Sequence, residues 1–160
     1  MKNFIFASIL FALLLTVNAA PFQKLNKRAL NFGPCYPDVD SLDINVRPDP
    51  PESEKLASFY VSGNLTKNDI IDGITILLIQ YADFLGNPIP DASYYRHFTD
   101  SFKAGTPFYI SESDLLIPEL PDSYQLLVKV GDDADNSVLF ACAFVIVGGR
   151  SEISKVFDFL

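Results

Sequence analysis

Histidine and cysteine are scarce in this sequence of 160 residues, and their scarcity limits the chemistry it can perform. A Ser-His-Asp or Cys-His arrangement would have to use the single histidine, His97, which lies in a stretch without a clear strand pattern. One histidine and two cysteines are too few for a zinc site. We therefore predict no catalytic residue, no metal site and no cofactor, and the composition favours a binding protein over an enzyme.

Acidic side chains are abundant, so a calcium site or a pair of catalytic carboxylates also has to be considered. The densest cluster is Asp132-Asp133-Ala134-Asp135, and Glu112 and Asp114 form a smaller one. The larger cluster follows Gly131 and precedes a predicted strand, and it lacks the ligand spacing of a helix-loop-helix calcium site. We interpret it as a solvated hairpin turn.

Apolar runs that approach membrane-spanning length are missing except at the N-terminus, where Lys2 precedes an apolar run from Phe4 to Val17. Val17-Asn18-Ala19 offers small residues at the cleavage positions, so residues 1–19 are predicted to be a secretory signal peptide. A membrane anchor is the alternative, but the run is shorter than the roughly 18 apolar residues that a spanning helix needs. We expect a protein that is secreted or held in the lumen of the secretory pathway, the vacuole included.

Basic residues are sparse after Arg28, where a second processing site is predicted. Residues 20–28 have the features of a pro-segment, because they end in the dibasic pair Lys27-Arg28. The whole chain carries a net charge of −8, and residues 1–28 hold four of its 12 basic residues and no acidic one. The mature chain is therefore more acidic still, which disfavours nucleic acids and anionic membranes as partners.

The two cysteines, Cys35 and Cys142, form an even pair in a chain bound for an oxidising compartment. They predict one disulfide that joins the start of the domain to its last strand, and two buried free thiols are the alternative. Asn64-Leu65-Thr66 is an Asn-x-Thr sequon at a predicted strand end, which makes Asn64 a candidate for glycosylation.

From residue 38 onward, short segments rich in β-branched and aromatic residues alternate with clusters of Pro, Gly, Asn or Asp, and no long helical pattern occurs. Such spacing predicts an all-β sandwich or barrel of antiparallel sheets. Residues 89–105 are harder to assign, and Tyr94-Tyr95 marks a short edge strand there. The six clearer strands fall near residues 42–46, 58–62, 74–81, 106–110, 125–130 and 138–147.

The last predicted strand is apolar on both faces. Period-two alternation places Phe140, Cys142 and Phe144 on one side, with Leu139 and Ala141 on the other. A strand of this kind must bury both faces or lie against an apolar partner or ligand. Packing under the C-terminal tail, residues 148–160, is the alternative explanation, and the pattern leaves both open.

Several features occur in one order between residues 32 and 147: an early Cys35, a strand that ends in Pro48-Asp49-Pro50-Pro51, and the block from Phe59 to Thr66. Ile71-Asp72-Gly73 then leads into the apolar strand, and the Pro-rich block from Ile117 to Tyr124, an Asp-Asp turn and Cys142 follow. In this order the chain resembles the ML lipid-recognition family. It is most similar to fungal phosphatidylglycerol/phosphatidylinositol transfer proteins and to Niemann-Pick type sterol-binding secreted proteins.

The resemblance implies a two-sheet, immunoglobulin-like antiparallel β-sandwich over residues 32–147, whose sheets are splayed around an apolar cavity. It implies a monomeric lipid-transfer protein without catalysis, which encloses a sterol or phospholipid acyl chain, contacts membranes transiently and takes part in intracellular sterol transport. The sequence departs from the family in lacking the further disulfides, including the pair that brackets residues 86–105. An immunoglobulin-like protein-interaction module with a filled core is the alternative. The inward, cavity-lining candidates are Phe59, Val61, Ile76, Leu78, Phe108, Ile110, Leu126, Val128, Phe140 and Phe144.

Overall fold

The computed structural model describes residues 29–132 and 138–148, and every regular element in these ranges is a β-strand. The predicted signal peptide, the pro-segment and the tail after Gly148 lie outside the described residues. Within those residues no helix could span a membrane. The strands are β1 (Gly33–Pro34), β2 (Asp40–Arg47), β3 (Leu56–Asn64), β4 (Thr75–Asp83), β5 (Pro88–His97), β6 (Pro107–Leu116), β7 (Tyr124–Asp132) and β8 (Leu139–Val147).

The all-β prediction is confirmed, and each of the six clearer strands is present. The edge strand predicted at Tyr94-Tyr95 is present as β5, but it is longer than expected: it has ten residues and ends at His97. Pro88 and Pro90 concealed the strand in the sequence, since proline cannot donate to a ladder. They are tolerated because β5 lies at the edge of the sheet, where one side of the backbone has no partner strand.

The strands form one curled, mixed sheet in the order β5-β4-β7-β8-β2-β3-β6, with β1 paired to β8 beside this path. Strand β2 makes the curl possible by changing partner along its length. Asp40 and Ser41 pair in parallel with β8, whereas the residues from Leu42 to Arg47 pair antiparallel with β3. All other strand pairings are antiparallel, both in the hairpin of β4 and β5 and between strands that are distant in the chain, such as β3 and β6.

One continuous apolar core lies inside the curl. Alternate residues of each central strand point into it, such as Leu77 and Ile79 of β4 and Leu126 and Val128 of β7. Phe59 of β3 meets them from the other half of the sheet path and is fully buried. The period-two pattern of the sequence is thus the pattern of burial.

Strand β8 follows its predicted alternation only after a bulge. From Ala141 to Val147 the odd-numbered residues pack into or against the core, while Ile146 on the other face is 41% exposed. The register with β7 shifts between Val130 and Gly131. At the start of β8 the faces are therefore exchanged, so that Phe140 packs against the core, as predicted, and Leu139 lines the outer groove. The prediction that Phe144 shares the inward face of Phe140 is wrong, because the bulge lies between them and the core takes Ala143 and Val145.

The predicted disulfide between Cys35 and Cys142 is present, with 5.7 Å between the two Cα atoms. It ties the segment after β1 to the middle of β8, across 107 residues of sequence. Neither cysteine is free. A structural disulfide of this kind indicates an oxidising compartment outside the cytosol.

Candidate functional site

The ten cavity candidates separate into two groups and one outlier. Seven lie in the core or against it: Phe59, Val61, Phe108, Leu126 and Val128 are buried within it, and Ile110 and Phe140 are partly buried at its margin. The structure therefore brings most of the set together inside the curled sheet.

Ile76 and Leu78 lie on the opposite, outer face of β4, because the core takes the alternate residues Leu77 and Ile79. They help to line a groove of about 620 Å³, which falls within the size range of ligand pockets. Phe144, half-buried, pairs with Gly33 of β1 and belongs to neither group. The other walls of the groove come from Cys35, Tyr36, Val39, Leu127, Lys129, Gly131, Asp132, Val138, Leu139 and Cys142.

The second feature is the place where the two ends of the sheet path meet, which we call the β5/β6 seam. Within the described residues, no backbone pairing joins β5 to β6. Three side chains join them instead. The Tyr94 hydroxyl donates to Oε2 of Glu112 at 2.6 Å, and Nη1 of Arg96 forms an ion pair with Oε1 of the same carboxylate.

Glu112 is the buried member of this group, with only 5% of its surface exposed, whereas the Arg96 side chain is 44% exposed. A buried carboxylate needs paired charge and hydrogen bonds to offset the loss of water, and Tyr94 and Arg96 supply both. Their bonds to an ionised acceptor are of the strong, charge-assisted kind.

The seam perturbs the two donors in the same direction. Burial, followed by the hydrogen bond to Glu112 and its charge, raises the pKa of Tyr94 to about 12. The hydrogen bond to Glu112 and its negative charge also raise the pKa of Arg96. Tyr94 is therefore a neutral donor and Arg96 a permanent cation at neutral pH.

The sequence pattern places Glu112 in an acidic cluster with Asp114 and does not identify it as the buried carboxylate between β5 and β6. One signal was available, since Glu112 shares the period-two face of Phe108 and Ile110, both of which were predicted to point inward. A carboxylate at an inward position predicts a buried partner. The partners could not be identified, because the sequence pattern does not show that the edge strand predicted at Tyr94-Tyr95 lies opposite β6.

The remaining candidates lie apart from the seam and the groove, or only at their borders. Asn64 is exposed at the end of β3, and in its sequon the Thr66 hydroxyl donates to Oδ1 of Asp40 at 2.8 Å. The His97 ring lies edge-on to Tyr95, with 6.5 Å between centroids. Asp132 ends β7, and Asp133 and Asp135 lie outside the described residues. Residues 29–132 and 138–148 contain no group of three or more His, Cys, Asp or Glu side chains placed to hold a metal ion.

No protein-family model matches the chain, and a comparison with curated proteins finds no match either. Among solved structures, a beta-glucuronidase from glycoside hydrolase family 2 is similar to 69% of this chain, with a TM-score of 0.41 and 14% identity. The chain spans 11% of that protein's length. A likeness at this level does not bear on function.

Proposed function

We propose that this protein is a secreted, monomeric lipid-binding protein built as a two-sheet, immunoglobulin-like sandwich. The partner change of β2 at Leu42 supports this architecture, because it divides the sheet path into β5-β4-β7-β8 on one side and β2-β3-β6 on the other. The disulfide at Cys142 supports export. The bonds from Tyr94 and Arg96 to Glu112 support two layers that face each other across the core.

One observation carries the lipid proposal: the apolar interior is closed along one side by side chains alone. Opening the seam breaks the bonds of Tyr94 and Arg96 to Glu112 and no backbone ladder. Hydrogen bonds to a charged group contribute roughly 1.5–3 kcal/mol each, so breaking these two bonds costs about 3–6 kcal/mol, to which the separation of packed side chains such as Phe98 and Phe108 adds. Within each half of the sheet path the strands are held by longer ladders, as between β3 and β6, whereas β2 and β8 pair only at Asp40 and Ser41.

The gain from enclosing a lipid is larger than the cost of these two hydrogen bonds, and it offsets part of the cost of separating the packed core. Moving each CH₂ group out of water is worth about 0.8 kcal/mol, so an acyl chain of about 16 carbons gains on the order of 13 kcal/mol relative to water. The side chains that would meet it, Phe59, Val61, Phe108, Leu126 and Val128, are all apolar. A sterol or phospholipid acyl chain held in this way is bound and released without a covalent step.

The second candidate is a protein-interaction module with a filled core. The observation in its favour is that the inward side chains of the described residues pack into one continuous cluster. A module of this kind would bind a protein through its surface and retain no lipid. The two candidates therefore differ in a property that can be measured directly.

The test is native mass spectrometry of the purified mature protein after exposure to a mixed lipid extract, supported by dehydroergosterol uptake. We expect one retained lipid per protein. L78R serves as the matched variant, because it places a charge in the outer groove without touching the interior. Unchanged retention in L78R supports the interior site, loss of retention would move the site to the groove, and no retained lipid in the unmodified protein would reject the carrier.

A further inference from the structure

The charges on the two strands of the β5/β6 seam are unequal. Strands β5 and β6 together carry three carboxylates, on Asp91, Glu112 and Asp114, and a single arginine, Arg96. Asp91 and Asp114 are exposed, whereas Glu112 is almost fully buried between the strands. The excess charge at this border of the interior is therefore negative.

We propose that the β5/β6 seam is the mouth of the lipid site, where the polar head of the ligand stays, and that Glu112 makes this mouth selective for uncharged, hydroxyl-bearing head groups. The inference rests on the lipid-binding function proposed above and adds the place of the head group and its chemistry.

Hydrogen-bond capacity at the seam explains the preferred chemistry. A lipid hydroxyl can donate to a carboxylate oxygen of Glu112 and accept from Tyr94 or Arg96, so it can join this network without leaving a buried group unpaired. A fully ionised phosphate or carboxylate head accepts from Arg96 but offers no donor to Glu112. It also places a second negative charge beside a buried one, where repulsion is stronger than in water.

Two substitutions should shift the head-group preference in opposite directions. E112Q keeps the shape of the side chain and removes the buried negative charge, so it should admit an anionic head group. R96M removes the cation and leaves Glu112 without its ion pair, so it should exclude anionic heads more strongly. D69N is the matched control, since Asp69 is also a carboxylate in an ion pair, with Lys103, on a partly exposed site outside both strands.

The experiment measures the dissociation constants of fluorescently labelled dioleoylglycerol and dioleoylphosphatidic acid, which have the same chains and differ in the head group. We expect the unmodified protein and D69N to prefer dioleoylglycerol. E112Q should lower the ratio of the dissociation constant for dioleoylphosphatidic acid to that for dioleoylglycerol at least tenfold, and R96M should raise this ratio. Circular dichroism and thermal melting establish that each variant is folded.

The outcomes separate the two proposals. If the unmodified protein binds both lipids and the ratio in E112Q and R96M equals that in D69N, the head group does not lie at Glu112 and the mouth is elsewhere, while the carrier function stands. If the unmodified protein binds neither lipid, nor any lipid of the mixed extract, the carrier function is wrong and the mouth with it. If one of the two variants fails to fold, the other still shows whether the ratio of the dissociation constants changes in the predicted direction.

Discussion

Removing the Cys35–Cys142 disulfide is expected to cost this protein a large part of its stability. The bridge closes a loop across 107 residues of sequence, for which the chain-entropy model gives about 4.8 kcal/mol at 25 °C. Domains of ordinary size are stable by only about 5–15 kcal/mol. The double variant C35A/C142A is the cleanest perturbation, because alanine at the buried position 142 removes one sulfur atom and introduces no polar group.

The assay is urea denaturation at equilibrium, followed by circular dichroism. Slopes for small proteins are about 1–3 kcal/mol per M of urea, so a loss near 4.8 kcal/mol lowers the midpoint by roughly 2–5 M. The slope itself should rise, since the unfolded chain is no longer held closed at Cys35 and exposes more surface.

The control is the unmodified protein in the presence of a reducing agent, which should have the same midpoint as C35A/C142A. A difference between them would assign part of the effect to packing around Cys142 and not to the bridge. A total loss below about 1 kcal/mol would refute the loop-closure reasoning, because it would mean that the unfolded state gains little freedom when the bridge is absent.

Two further predictions concern the seam and the two faces of the sheet. Burial and Glu112 raise the pKa of Tyr94 to about 12, so its hydroxyl ionises more readily in the unfolded chain and the protein should lose stability as the pH rises above about 10. The difference in tyrosinate absorbance between the unmodified protein and Y94F should have its midpoint near pH 12. A midpoint near 10 would contradict the buried seam. F59A should lower the free energy of unfolding by about 3–5 kcal/mol because Phe59 is fully buried, whereas L78A on the outer face should lower it by at most about 2 kcal/mol. Equal losses in urea denaturation would show that the two faces are wrongly assigned.

Much of the fold could be predicted from the local sequence pattern. The alternation of apolar and polar residues identified β2 and β3, and the apolar run identified β4, because side chains of a strand point to opposite faces with a fixed period of two. Two cysteines in a chain with export features were enough to predict their pairing. These inferences depend on neighbours in the sequence, so the sequence was sufficient for them.

Other features depend on register and on contacts between distant segments, which the local pattern does not contain. The bulge between Val130 and Gly131 places Phe140 and Phe144 on opposite faces, although a strict period of two assigns both to the interior, and no property of β8 alone reveals it. Ile76 was assigned to the interior because β4 is apolar on both faces, and only the pairing of its neighbours shows which face meets the core.

The sequence by itself determined an all-β chain with one disulfide. Only the tertiary structure decided that the two edge strands meet, and that Glu112 is buried between them against Tyr94 and Arg96. The physical reason is that strand propensity and periodicity are local, whereas the curl of the sheet follows from the partner change of β2 at Leu42, which brings strands from different parts of the chain together.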